Sequence, residues 1–206
     1  MVKVEKCYIN DSNYSSIQQT NKTKKLEVLQ SKIVGCKGQA IITASGTKKL
    51  IVKGCHFVDN CSDRTTQDGA ISLTNINSVI QNTIFENNKA VGILMQGGKG
   101  DFHCIIVRNS VCGFVLRGAV SISSSILQGC AVGLNLEGGN VTLKDNKMIH
   151  CVQEITRYDK SLEPVFLGDS RHRVSSVNAD MLIGAEMKHR KRERRKNLLP
   201  TLGFVD

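Results

Sequence analysis

The chain contains no tryptophan, only 4% aromatic residues and two prolines. With so few bulky anchors its core must be built from aliphatic side chains. A 40% hydrophobic content alongside 18 glycines supplies those, together with many turns. No segment approaches the roughly 18 continuous apolar residues of a membrane-spanning helix. The N-terminal Met1-Val2-Lys3-Val4-Glu5-Lys6 lacks the apolar stretch of a secretion signal. The eight cysteines include no Cys-x-x-Cys pair, and without a secretion signal buried free thiols are expected rather than disulfides. Charge of one sign is also unevenly placed. The net charge is +10, and residues 188–196 alone hold seven Lys/Arg against one Glu, leaving the rest only mildly basic.

What the chain does have is a phrase that recurs about every 21 residues between Lys25 and Ser161. Its clearest copies begin at Ile84, Ile106 and Ile126, each an aliphatic residue, a polar turn, a small residue and an alternating apolar strand. The small residues Ala40, Ala70, Gly92, Gly113, Gly133 and, less clearly, Glu154 are 30, 22, 21, 20 and 21 residues apart. A large apolar residue precedes most of them (Ile33, Phe85, Ile106, Ile126 and Met148). Phe57 joins that column only if the polar stretch Ser62–Asp68 is an inserted loop. A further strand appears as Leu26/Val28, Leu50/Val52, Val120/Ile122 and Val141/Leu143. Three short alternating strands per unit point to a three-sided parallel β-helix. Leucine-rich, ankyrin and tetratricopeptide units would need period-3 leucines or helical periodicity, and neither is present.

The expected fold class is therefore all-β, a right-handed parallel β-helix of the pectin-lyase-like type with six to seven coils, ending in a basic helical tail. Cys130 and Cys151, one period apart, would lie side by side within disulfide reach. One turn column, Cys36, Asn60, Asn88, Asn109, Gly129 and His150, reads as an internal asparagine ladder, because Asn tolerates left-handed backbone and its amide bonds to the next turn. The first 24 residues fit the same frame, with Val2/Val4, Ile9 and Ile17 each 24 residues before Leu26/Val28, Ile33 and Ile41. Met1 would then open partway through a stack, as in a C-terminal piece or short isoform of a longer protein. Two regions are expected: a β-helix over 1–161 and a capping segment with basic tail over 162–206. In the tail, Asn178 suits an N-cap, with Met181, Leu182 and Ala185 on one helical face.

β-Helices can host carbohydrate-cleaving enzymes, which need convergent carboxylates. Asp59, Asp63, Asp68, Asp101, Asp145, Glu86 and Glu137 fall at different places in their units, so no such cluster is expected. Asp63 and Asp68 share the inserted loop and could at most hold a cation weakly. His56, His103 and His150 sit in separate columns. His103 and Cys104 are adjacent, and strand alternation would send them to opposite faces, which disfavours a Cys–His pair. Gly97-Gly98-Lys99-Gly100 is followed by a strand, not the helix of a phosphate-binding loop. No catalytic, cofactor-binding or metal-binding residues are expected, and no cofactor. Lys188, Arg190, Lys191, Arg192, Arg194, Arg195 and Lys196 form the candidate partner-binding set. Specific nucleic-acid recognition is disfavoured there by the lack of interleaved aromatics, leaving non-specific attraction through the tail.

The segments Asn109-Ser110-Val111-Cys112-Gly113-Phe114-Val115-Leu116-Arg117-Gly118 and Glu86-Asn87-Asn88-Lys89-Ala90-Val91-Gly92-Ile93 resemble the β-helical half of the SHC SH2-domain-binding protein family. That family includes a spindle-associated protein of testis and a fly cytokinesis protein. The resemblance covers about residues 25–160, and F-box proteins with similar repeats share the general phrase. It implies a non-enzymatic scaffold for protein partners (spindle, midbody or chaperone components) at the cytoskeleton of dividing or meiotic cells. Two other readings stay open: a carbohydrate-binding or carbohydrate-active β-helix, and the substrate-recognition module of a ubiquitin ligase.

Overall fold

The computed structural model describes residues 1–20, 22–43, 48–62, 68–159, 161–167 and 174–176. Within them the strands wind as successive coils. The first coil is β1 (Val2–Glu5), β2 (Tyr8–Asn10) and β3 (Ile17–Gln19), and the second is β4 (Lys25–Leu29), β5 (Lys32–Val34) and β6 (Ile41–Thr43). The third opens with β7 (Lys49–Lys53) and β8 (His56–Val58) and closes with the start of β9 (Gly69–Glu86). The rest of β9 makes two sides of the fourth coil, which β10 (Val91–Arg108) closes before making two sides of the fifth. β11 (Cys112–Ser123), β12 (Ile126–Gln128) and β13 (Val132–Gly138) complete the fifth and sixth, and β14 (Val141–Lys144), β15 (Lys147–Ile149) and β16 (Gln153–Arg157) form the seventh. Pairing continues beyond Ser161, where β17 (Val165–Leu167) lies on β14 and β18 (Val174–Ser176) on β16.

Every pairing is parallel. On the first side Val2, Leu26 and Leu50 are in register, and the first 24 residues take the frame their spacing indicates, with Ile9 on Ile33 and Ile17 on Ile41. Alternation along each strand sends one set of side chains inward. Those of successive coils stack: Ile33, Phe57, Phe85, Val107 and Leu127 form one buried column, and Ile41, Ile71, Ile93, Phe114, Leu134 and Ile155 another. Phe57 and Phe85 stack with ring centroids 4.9 Å apart and planes 13° from parallel, a geometry imposed by the strand spacing. Ile106 and Ile126, expected in this column, are instead half-buried, and their neighbours Val107 and Leu127 occupy the core.

Two corners repeat the same device. A residue in left-handed backbone turns the chain, and in most coils the next residue points inward as a small side chain such as Ser31, Asn60, Asn88 or Ser125; Ile105 and the exposed Cys7 are exceptions. Lys6, Gln30, Gly54, Asn82, Cys104, Ser124 and Asp145 do this between the first and second sides, with φ from 49° to 63°. Asp11, Gly35, Asp59, Asn87, Asn109, Gly129 and His150 do it between the second and third, with φ from 52° to 67°. The amides of most turn residues bond to a carbonyl of the following coil, as Asn87 N–H to Arg108 O at 3.0 Å and Asn109 N–H to Gln128 O at 2.9 Å. At those positions the corner is part of the ladder.

These two adjacent columns divide the asparagine series expected from sequence. Cys36, Asn60 and Asn88 point inward and are buried. Asn109, Gly129 and His150 stand one place earlier, at the left-handed position. The inward column continues through Ser110 and Cys130. Its cause is a turn one residue shorter. Asn87 and Asn109 are in register at a separation of 22, whereas Gly92 and Gly113 are 21 apart, so counting back from the glycine lands on the wrong neighbour. The same missing residue displaced Ile106 and Ile126 from the core.

At the third corner β9 and β10 pass from one side to the next without a break. Gly97 and Gly98 both have φ near +88°, 87° and 88° respectively, and a Cβ on either would collide with Asn75 or Ile76 of the coil before. Gly97-Gly98 is thus a bend where backbone touches backbone.

Candidate protein-interaction face

The three sides differ in what they leave outside. On the third side five consecutive residues are buried in each of β9, β10, β11 and β13, and Val91, Leu94, Cys112, Val115 and Val132 pack as a cluster apart from the main core. The outer residues of the first side are polar and charged for the most part, including Lys3, Glu27, Asp101, Ser121 and Thr142. The second side carries a different pattern. One outer column runs Tyr8, Lys32, His56, Ile84, Ile106, Ile126 and Lys147, and its companion runs Asn10, Val34, Val58, Glu86, Arg108, Gln128 and Ile149.

Ile84, Ile106 and Ile126 therefore stack at about 4.8 Å intervals as a half-exposed apolar stripe. Val34 and Val58 extend it, and Lys32, Arg108 and Lys147 edge it with positive charge. His56 Nε2 lies 3.3 Å from Glu86 Oε2 across the stripe. The backbone beneath is held by ladder bonds on both sides, so the stripe needs little ordering on contact with a partner.

The asparagine ladder lies behind this face. Asn60 Oδ1 accepts from Cys36 N–H at 3.1 Å, and Asn88 Oδ1 accepts from both Asn60 N–H and Asn60 Nδ2 at 3.0 Å. The side-chain amides donate in turn to Ile33 O and Phe57 O, at 3.2 and 3.1 Å. At the other corner Ser31, Ser125 and Asn146 act alike: Ser125 Oγ accepts from Ile105 N–H at 3.1 Å and Asn146 Oδ1 from Ser125 N–H at 3.0 Å. Sequence reading missed this second ladder, because Ser, Cys, Thr and Asn share it without a common letter. Its signal was a small residue two places before most second-side strand cores, namely Ser31, Cys55, Thr83, Ser125 and Asn146, with Ile105 breaking the series before Val107.

The carboxylates fall in separate places: Asp59 and Asp145 at different corners, Asp101 on the first side and Glu86 on the second. Asp68 Oδ1 accepts from Gln39 Nε2 at 2.7 Å, while Asp63 lies outside the described residues. Lys188, Arg190, Lys191, Arg192, Arg194, Arg195 and Lys196, and the helix expected from Asn178, also lie outside them. Among the described residues no helix is long and apolar enough to cross a membrane. Glu137 Oε2 is 3.8 Å from Arg117 Nη2, whose side chain is 66% exposed. Arg117→Ala is accordingly expected to change the unfolding free energy by less than about 1 kcal/mol in urea denaturation.

None of the eight cysteines is in a disulfide. Cys130 and Cys151 are neighbours, and their thiols share a hydrogen bond. That contact, with burial, raises the Cys130 pKa well above the ordinary thiol value, while the same bond lowers that of Cys151. Burial likewise raises Cys55 and Cys112. His103 and Cys104 depart from expectation. Cys104 is a corner residue at φ 52°, so strand alternation fails there, and its Sγ comes to 3.1 Å from His103 Nε2. Ser123 Oγ, one coil on, is 2.9 Å from His103 Nδ1.

Parallel strands on three sides, left-handed corners and inward polar ladders define the class: a β-solenoid. The family model for the right-handed β-helix region matches residues 1–125, and the chain belongs to that family. None of the curated proteins compared with the chain matches it significantly.

Proposed function

We propose that this protein is a non-enzymatic β-helix scaffold that presents its second side to protein partners, at the spindle or midbody of dividing or meiotic cells. The observation that carries the scaffold role is the flat stripe of Ile84, Ile106 and Ile126, edged by Lys32, Arg108 and Lys147 on a hydrogen-bonded backbone. An apolar centre with a charged rim is the usual anatomy of a protein-binding patch. The placement of the described carboxylates supports the same reading, since a calcium-assisted lyase or a glycosidase needs carboxylates that converge, and Asp59, Asp101, Asp145 and Glu86 stand at different sides and corners. The cellular setting rests on the resemblance of residues 86–93 and 109–118 to the SHC SH2-domain-binding protein family. The basic run at 188–196 adds electrostatic attraction to an acidic partner.

The test is a tagged full chain followed through division beside the variant Ile84→Lys/Ile106→Lys/Ile126→Lys. These side chains face outward, so the β signal in circular dichroism is expected to be retained. Spindle or midbody enrichment of the parent, lost in the variant, is the expected result. A diffuse parent, or equal enrichment of both, contradicts the proposal. Selective retention on a glycan array would favour a carbohydrate-binding β-helix instead.

A further inference from the structure

We infer that Cys104 is a covalent modification site, a thiol activated by His103 for reaction with small hydroperoxides. The sulfur, the imidazole and the Ser123 hydroxyl form a line: Sγ to Nε2 at 3.1 Å, then Nδ1 to Oγ at 2.9 Å. When Ser123 Oγ accepts from Nδ1–H, the lone pair of His103 is on Nε2 and faces the thiol. This is the order nucleophile, base, orienting group by which thiols are activated. The line is built by two neighbouring coils. His103 and Ser123 are register partners on the first side, and the left-handed backbone of Cys104 swings its sulfur back beside the ring.

The surroundings select the reagent. His103, Cys104 and Ser123 are all half-buried, so a small electrophile reaches the sulfur more readily than a bulky one. The thiol proton passes to Nε2, and the sulfur attacks one oxygen of hydrogen peroxide. An S–O bond forms as the O–O bond breaks, and the departing hydroxide takes the proton from Nε2–H and leaves as water. The sulfur is oxidised by two electrons to a sulfenic acid, and the peroxide is reduced to water.

The chain provides its own control. Cys7 is exposed, but its sulfur rests on Glu5 O at 3.3 Å, and among the described residues no imidazole bonds to it. Exposure alone would make Cys7 react first; activation makes Cys104 react first. The experiment is a hydrogen peroxide pulse on the purified full chain with dimedone present, read by peptide mass spectrometry. Cys104 is expected to be trapped at least about tenfold faster than Cys7, a gain within reach of a general base positioned beside the sulfur. His103→Gln is expected to remove that advantage while leaving the Cys7 rate and the circular dichroism spectrum unchanged. Faster trapping of Cys7 in the parent, or an unchanged Cys104 rate in His103→Gln, overturns the inference. Should His103→Gln alter the spectrum, Ser123→Ala decides. It keeps the imidazole and frees its orientation, so slower trapping at Cys104 supports the inference and an unchanged rate overturns it.

Discussion

Replacing Asn88 by alanine is expected to lower the unfolding free energy by about 3–6 kcal/mol, three broken buried hydrogen bonds at roughly 1–2 each. Asn88 Oδ1 is the acceptor for both Asn60 N–H and Asn60 Nδ2, and Asn88 Nδ2 satisfies Phe57 O. Asn60 is fully buried, so water does not replace these partners without opening the coil. Asn109→Ala is the informative contrast. Asn109 is exposed at φ 53°, and its amide reaches only the Asn87 side chain at 3.1 Å. The substitution is therefore expected to cost about 1 kcal/mol, the price of a left-handed alanine. Urea denaturation followed by circular dichroism checks both. Equal losses for the two variants would contradict the separation of inward and turn columns.

The second large effect is expected at Gly113. Its Cβ position lies against Gly133 O of the next coil and 3.1 Å from Leu127 Cδ2. The neighbour that would have to move is backbone, itself fixed by the ladder that joins β11 to β13. Gly113→Val is expected to cost at least about 3 kcal/mol, the upper end of overpacking, because relief requires the coils to separate. In a solenoid that separation weakens the interface on both sides of the altered coil. Gly138→Ala is the control, since its Cβ meets only Arg117 Cγ at 3.4 Å, an ordinary contact. Thermal unfolding of the two variants separates them. A Gly113→Val protein as stable as the parent would show that β11 and β13 do not approach as described.

Much of this fold was legible because stacking makes the chain repeat itself. Wherever the period was kept, counting gave the register, as for Leu26 on Leu50 and Val120 on Val141. It failed where one turn lost a residue. The turn from Ser110 to Gly113, one residue shorter than that from Asn88 to Gly92, moved Ile106 and Ile126 from the outer face into an imagined core, and so hid the stripe proposed for partner binding. The Cys104–His103 contact was hidden for a related reason. Alternation holds only within a strand, and no residue type announces that Cys104 is a corner: Lys6, Gln30, Asn82 and Ser124 fill the same place. Glycine and asparagine advertise left-handed backbone; cysteine does not.

The central claim, coils seated in register along one axis, is tested most directly by distances between spin labels on a single outer column. Lys3, Glu27, Ile51, Val79, Asp101, Ser121 and Thr142 succeed one another through six pairings. Labels at Lys3 and Thr142, introduced as non-natural amino acids so that the native cysteines stay intact, are expected to lie about 29 Å apart, six strand spacings. Moving the second label from Thr142 to Ser121 is expected to shorten the distance by about 5 Å, one spacing. Narrow distributions at those two distances are the predicted result. A broad distribution, or no shortening on moving back one coil, would contradict the stacked β-helix.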